Sequence, residues 1–259
     1  MKFSILASGS KGNACYIETD NTRLLIDAGI SCLQIEKRLE RIGKKANDLD
    51  AILVTHEHID HIRGVGPLSR RYNIPLYLNQ KTYENGIKTF GNVFCPVIIQ
   101  TGSFLYINDL RIETFTKCHD AADPLGLKVS FNGISLGIAT DLGRSTKLVE
   151  DRLRGCHALI IEFNHDQEML DEGPYPLELI RRIKGQDGHL SNRQARSLLE
   201  EIISNMTRYV VLAHLSDTNN NPDKAYFEAT SALKKNGQKN TSVIIGLQDE
   251  PGPLLDIII

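Results

Sequence analysis

No run of eighteen apolar residues occurs in the 259-residue chain, so no membrane-spanning helix is expected. The opening MKFSILASGSKGN has one lysine before an apolar run too short for a signal peptide, and it reads as a first strand. The five cysteines, Cys15, Cys32, Cys95, Cys118 and Cys156, contain no CxxC pair. Their odd number and wide scatter argue against a disulfide framework or a cysteine-rich zinc site, and they read as small buried hydrophobes in a reducing cytoplasm. Internal repeats, low-complexity tracts and long linkers are also missing, so residues 1–259 are expected to form a single domain. Strong charge of one sign is absent too. With a net charge of −2, any contact with nucleic acid must run through a local basic patch.

What is present is a strand-rich pattern. KFSILAS, ACYIET and RLLIDAG read as three consecutive strands, with Gly9, Gly12 and Asp20-Asn21 supplying turns. Ser31 is placed to cap a helix whose apolar face is Ile35, Leu39 and Ile42, with Gly43 as its stop. Asp50–His56 reads as a buried strand, and further strands are expected over 75–78, 104–107, 110–115 and 127–131. Asn132-Gly133 marks a hairpin into a strand over 134–140. Buried strands over 157–164 and 208–214 flank a helix over Ser191–Ile203, and strands over 241–247 and 254–259 close the chain. Strands with interspersed helices in each half predict an α/β sandwich of sheets covered by helices.

Three of only eight histidines fall in Thr55-His56-Glu57-His58-Ile59-Asp60-His61, at the end of a buried strand. The i, i+2 spacing lets His56 and His58 converge on one ion, and Asp60 and His61 can hold a second. Imidazole with carboxylate suits zinc, manganese or iron. Six positions cannot complete two coordination shells, so further ligands are sought at other strand ends. His119, Asp141 and His214 each follow a strand-like run. Taken singly, each has an ordinary reading as a core histidine, a capping aspartate or a turn residue.

The succession LLIDAG, THEHIDH, a lone histidine, ATDLG and AHLS resembles the metallo-β-lactamase superfamily across the whole chain. That resemblance implies an αββα sandwich with two divalent metal ions at the sheet edges. It implies His56, His58 and His119 on one ion, Asp60, His61 and His214 on the other, Asp141 bridging them, and Asp27 behind the metal loop. Asp141, where many lactam hydrolases carry a cysteine, argues against lactam hydrolysis. The intact HEHIDH separates the chain from the flavo-di-iron enzymes. No β-CASP insertion and no exosite arm are visible. GHLSN (Gly188–Asn192) is similar to the histidine-serine loop of the tRNase Z group, which implies His189 as an aid to phosphodiester cleavage. Ser191 and Asn192 begin a helix whose free N–H groups favour a phosphate. The motifs LASGSKGN, HDAADPLG, NHDQEML, GHLSN and AHLSDTNN together resemble the YycJ/WalJ family, which implies a cytoplasmic 5′ exonuclease acting on DNA.

The expected activity is therefore metal-dependent phosphodiester hydrolysis, with Asp60 and His189 as the catalytic side chains. The substrate-binding candidates are His165, Ser191, Asn192, Asn219, Asn220, Arg63, Arg181 and Arg182. Phosphates need cations. Besides those three arginines, Arg70, Arg71, Lys184, Lys234, Lys235 and Lys239 are available, each equally readable as a solvated helix face. The alternatives are a cyclic phosphodiesterase or glyoxalase-II-like thioesterase, a two-iron redox enzyme, and a non-catalytic nucleic-acid-binding module.

Overall fold

Short connections set the first three strands into an antiparallel meander, and longer helical crossovers add the next three strands of that sheet in parallel. In the computed structural model, which describes residues 1–258, β1 (Lys2–Ala7), β2 (Ala14–Glu18) and β3 (Arg23–Ile26) pair in sequence. Helix α1 (Cys32–Arg41) then leads to β4 (Ala51–Leu53), α2 (Ile59–Ile62) and α3 (Val65–Tyr72) lead to β5 (Leu76–Asn79), and α4 (Gln80–Phe90) leads to β6 (Pro96–Ile99). These three strands add in parallel.

The second sheet repeats this plan. β7 (Phe104–Ile107), β8 (Leu110–Thr116), β9 (Leu125–Phe131) and β10 (Ile134–Ala139) are antiparallel. Helix α5 (Lys147–Leu153) leads to β11 (Ala158–Glu162). The segment α6 (Gln167–Glu172), α7 (Leu177–Lys184) and α8 (Asn192–Ile202) leads to β12 (Tyr209–Ala213), and α9 (Pro222–Lys235) leads to β13 (Ser242–Ile245). These last three strands are parallel, and β14 (Leu255–Asp256) returns to β1 of the first sheet. Each sheet has seven strands.

Three apolar layers follow. Phe3, Ile5, Leu24 and Leu53 of one sheet meet Ile112, Leu127, Leu136 and Ile160 of the other. Leu25, Ile52 and Leu76 face Ile35, Leu39 and Leu68 of the helices outside the first sheet. Leu159, Ile161 and Val210 face Val149, Leu198 and Ala225 outside the second. This is the expected αββα sandwich, and it explains the continuous apolar runs AILV, ALII and VVLA: their strands are covered on both faces. At one end, Asp109 in the β7–β8 turn accepts hydrogen bonds from Thr19, Asn21 and Thr22 in the β2–β3 turn, tying the sheets together.

The Ser31 cap and the Asn132-Gly133 hairpin are as expected. Asn132 and Gly133 have φ of 47° and 81°, the pair of positive values a two-residue turn of this type requires. The strand predicted over Asp50–His56 stops at Leu53, because the Thr55 N–H turns away to Asp27 Oδ1 at 2.7 Å. Strand β6 and helices α2 to α7 and α9 were not foreseen. Of the strand expected over 254–259, only Leu255 and Asp256 are paired, and Ile259 lies outside the described residues.

Candidate metal centre and its cleft

Parallel strands with helical crossovers bring their carboxyl ends to one edge of each sheet, and the loops there can bear side chains from distant parts of the chain. Asp27 follows β3, Asp141 follows β10 and His214 follows β12. All three have left-handed backbones, with φ of 59°, 53° and 56°. Such conformations cost roughly 1–3 kcal/mol each in a residue with a Cβ and persist only where neighbours enforce them. Here they are enforced: Asp27 N–H donates to Leu53 O at 2.8 Å, Asp141 N–H to Glu162 Oε1 at 3.1 Å and His214 N–H to Ser8 Oγ at 2.7 Å. Close approach also demands Gly29, where a Cβ would fall 1.6 Å from Asp60 O.

The structure brings the seven proposed ligands together. His56, His58 and His119 each present a ring nitrogen within 4.8 Å of the others, as do His56, His61 and Asp141 on an oxygen of the last. Asp60 Oδ2 lies 3.5 Å from His61 Nε2 and 3.6 Å from His214 Nε2. Asp141 stands between the two sides: Oδ2 is 3.2 Å from His61 Nε2, and Oδ1 is 3.5 Å from His214 Nδ1 and 3.9 Å from His119 Nε2.

A divalent cation fits this donor set. His56 Nε2, His214 Nε2 and Asp141 Oδ2 are buried with no hydrogen-bond partner, an arrangement that is costly for polar atoms unless something charged satisfies them. Their other atoms are already engaged. His56 Nδ1 is 3.0 Å from Thr55 Oγ1, and His214 Nδ1 is 2.9 Å from Glu162 Oε1, which leaves each Nε2 facing inward. His58 Nδ1 and His119 Nε2 face one another at 3.2 Å. Burial pushes His56 well below the usual imidazole range and His119 down to about 4, so both offer neutral lone pairs. Burial also opposes charge on His61, but Asp141, Asp27 and Asp60 outweigh it and push the ring up to about 10. These residues are positioned for divalent metal binding.

A supporting layer holds the donors. Asp27 contacts the THEHIDH loop: Oδ2 is 2.8 Å from His61 Nδ1 and accepts the Thr55 hydroxyl at 2.8 Å. Two residues of this layer were missed in the sequence. Glu162 is wholly buried at the end of β11. It accepts the backbone N–H groups of Asp141, Leu142 and Leu190 and contacts both His189 and His214. Its signal was a lone charge closing the apolar run ALIIE. Lys117 is buried among Asp141, Asp27, Glu162 and Asp60 and donates to Thr140 O; burial pushes its ammonium pKa downward. Asn13 of LASGSKGN also reaches His61 Nε2 at 3.1 Å.

The substrate-binding candidates divide. His189 is at the site, with its ring centroid 5.2 Å from that of His119 and 5.1 Å from that of His214. Arg182 lies on the same cleft and pairs with Asp120 at 2.6 Å. Arg63 and Arg181 are exposed, with no ion pair or hydrogen bond from either guanidinium among the described residues.

Most of the other polar candidates make contacts of their own within the fold. His165 is buried; burial pushes it down to about 4, so at neutral pH it is no cation for phosphate. Its carbonyl instead accepts the Asn192 N–H at 2.8 Å. Ser191 closes a capping box with Gln194. Asn192 and Asn220 bond amide to amide at 2.8 and 3.0 Å, fastening helix α8 to the loop after β12. Asn219 is buried beside Gly173, and neither atom of its side-chain amide has a hydrogen-bond partner. Of the other cations, Arg70 and Arg71 serve local contacts to Phe90 O and Glu36, and Lys184 and Lys235 pair with Asp171 and Glu200.

A cleft of about 230 Å³ is lined by Asp120, Arg182, Gly188 and His189, the last of which stands beside the donors. A phosphate placed there would meet an imidazole, a guanidinium and, on the metal side, the cluster of inward-facing donors.

Comparison with known proteins agrees with this geometry. Residues 22–215 match the model of the β-lactamase superfamily domain. The chain is 37% identical to the exodeoxyribonuclease YycJ of Bacillus anthracis, over 92% of this chain and 90% of that one. It is 40% identical to the exodeoxyribonuclease WalJ of Streptococcus pneumoniae, over 90% and 88%. The metallo-β-lactamase fold protein YhfI of Bacillus subtilis superposes with a TM-score of 0.74 at 16% identity, covering 97% of this chain and 98% of the other. With the fold, the donor cluster and these relatives in agreement, the chain belongs to the β-lactamase superfamily and, within it, to the family of the YycJ and WalJ proteins.

Proposed function

We propose that this chain, acting as one domain in the cytoplasm, is a metal-dependent phosphodiesterase that removes nucleotides from a DNA end. The observation that carries the reading is the convergence of seven donors around three buried, unpartnered polar atoms, next to a cleft containing an imidazole and a guanidinium. The YycJ and WalJ relatives, named exodeoxyribonucleases, supply the substrate class. Five cysteines without a disulfide accord with a reducing compartment.

In this reading His56, His58 and His119 would hold one ion and Asp60, His61 and His214 the other, with Asp141 available to both, and zinc or manganese would be preferred with iron a third option. When bound, two such ions supply a water ionised near neutral pH and neutralise charge on the phosphate. The chain does the rest. Asp60 orients the attacking water and accepts its proton. Glu162 fixes the His189 ring through Nδ1, leaving Nε2 to deliver a proton to the departing oxygen. Arg182 orients the phosphate, and the exposed Arg63 and Arg181 receive its neighbours along the strand.

The test is hydrolysis of 5′-labelled and 3′-labelled DNA, duplex and single-stranded, with RNA as comparison and Mn²⁺ or Zn²⁺ restored after chelation. Stepwise release of mononucleotides from one DNA end is expected. Turnover of only bis-p-nitrophenyl phosphate, or only of a thioester, would replace the proposal by a small-molecule hydrolase.

A further inference from the structure

The cleft beside His189 has a second wall that the hydrolytic machinery does not use. Tyr175, Leu179 and Ile183, from the α6–α7 connection and helix α7, line it together with Ser10 and Ser216 from the β1–β2 and β12–α9 loops. The lining thus combines one aromatic and two aliphatic side chains with two hydroxyls and the His189 imidazole. Helix α7 itself buries only Ile180 and exposes Leu177 at 71%, so its cleft-facing residues are not explained by packing in the apolar layers. The cavity holds about 230 Å³, less than the roughly 300–1,000 Å³ typical of drug-sized ligand sites. It has room for one flat heterocycle, not for a stacked run of bases.

From this geometry we infer that the Tyr175 wall is the pocket for the terminal nucleobase. The base lies against Tyr175 with Leu179 and Ile183 alongside, its polar edge meets the Ser10 and Ser216 hydroxyls, and its phosphodiester falls at His189. Stacking on an aromatic ring tolerates every base, because each presents a π-face. A cavity of about 230 Å³ admits one unstacked base, so the strand is cut one nucleotide at a time. This assignment rests on the nuclease reading above and adds to it the means of recognising an end.

The experiment compares DNA whose terminal residue is normal with DNA whose terminal residue is abasic, in wild type, Tyr175→Ala and Tyr175→Phe. Base–aromatic stacking predicts that wild type prefers the normal end by about five- to hundred-fold in kcat/KM. Tyr175→Ala should lose that preference, and Tyr175→Phe should keep it. Calorimetric binding of thymidine 5′-monophosphate should weaken by a similar factor in Tyr175→Ala alone. Circular dichroism checks that each variant is folded, and Leu179→Ala, a milder change to the same wall, should lose part of the preference. Equal discrimination by wild type and Tyr175→Ala, with DNA still cut, overturns the pocket and leaves the nuclease reading standing. No DNA cleavage by wild type overturns the nuclease reading itself and the pocket with it.

Discussion

Glu162 Oε1 lies 2.9 Å from His189 Nδ1, and the carboxylate is completely buried. The same oxygen lies 2.9 Å from His214 Nδ1. One side chain therefore orients both a proposed metal donor and the proposed proton donor. Burial alone would raise the Glu162 pKa, but His189 and His214 hold it far below the usual carboxylate range. Glu162→Gln keeps the shape and removes the charge. Metal affinity and kcat should each fall by about 10- to 100-fold, the usual effect of losing a partner behind a ligand. Equilibrium dialysis and steady-state rates measure the two; a change in neither would remove Glu162 from the account.

His189→Ala separates proton donation from metal retention. If His189 protonates the leaving oxygen, kcat should drop by about 10²- to 10⁴-fold while bound metal stays at the wild-type level. A substrate with a good leaving group, such as a p-nitrophenyl ester, should be hurt much less than DNA. Loss of metal in this variant would make His189 a ligand instead.

Lys117 is the one buried ammonium amid Asp27, Asp60, Asp141 and Glu162. Removing one partner from a buried charge cluster costs about 3–5 kcal/mol. Lys117→Met should lose about that much stability in urea unfolding of the chelated protein. Added divalent ion should recover part of the loss, because a cation bound to the folded state alone stabilises it. Unchanged stability in the chelated variant would contradict this role.

The Asp109 tie between the two sheets should make stability depend on acid. Burial pushes this carboxyl upward, but hydrogen bonds from Thr22 and Thr19, with its own N–H and Asn21, push it net below the usual carboxylate value. A pKa lower in the folded state means the contribution is present above the unfolded value and lost as pH falls through the folded one. Asp109→Asn should therefore cost about 1–2 kcal/mol at pH 7, and its gap to wild type should narrow below about pH 4. A gap independent of pH would show that the carboxylate charge is not what ties the turns.

Much of the sandwich was legible because its signals are local. Ser31, Asn132-Gly133 and the runs AILV, ALII and VVLA each carry their own turn chemistry or burial pattern. Helices α3, α4 and α9 were less visible: their faces mix small and polar residues, such as Gly66 and Ser69 in α3 or Ala225 and Ala229 in α9. At the site, THEHIDH announced itself by spacing, and His119, Asp141 and His214 by standing at strand ends. Glu162 and Lys117 did not, because what singles them out is complete burial beside partners distant in the chain. Asn192 and Asn220 are the complementary case: a polar residue beside a candidate site looks free in the sequence until its own partner is known.

The central claim is that the clustered donors hold the metal on which hydrolysis depends. It is tested most directly by titrating chelated protein with Mn²⁺ or Zn²⁺ while following bound metal and DNA hydrolysis together, in wild type and Asp141→Ala. The account predicts no hydrolysis after chelation, activity that rises to its full value as two equivalents bind, and loss of both tight binding and activity in Asp141→Ala. Hydrolysis by the chelated protein, or full activity in Asp141→Ala, would contradict it.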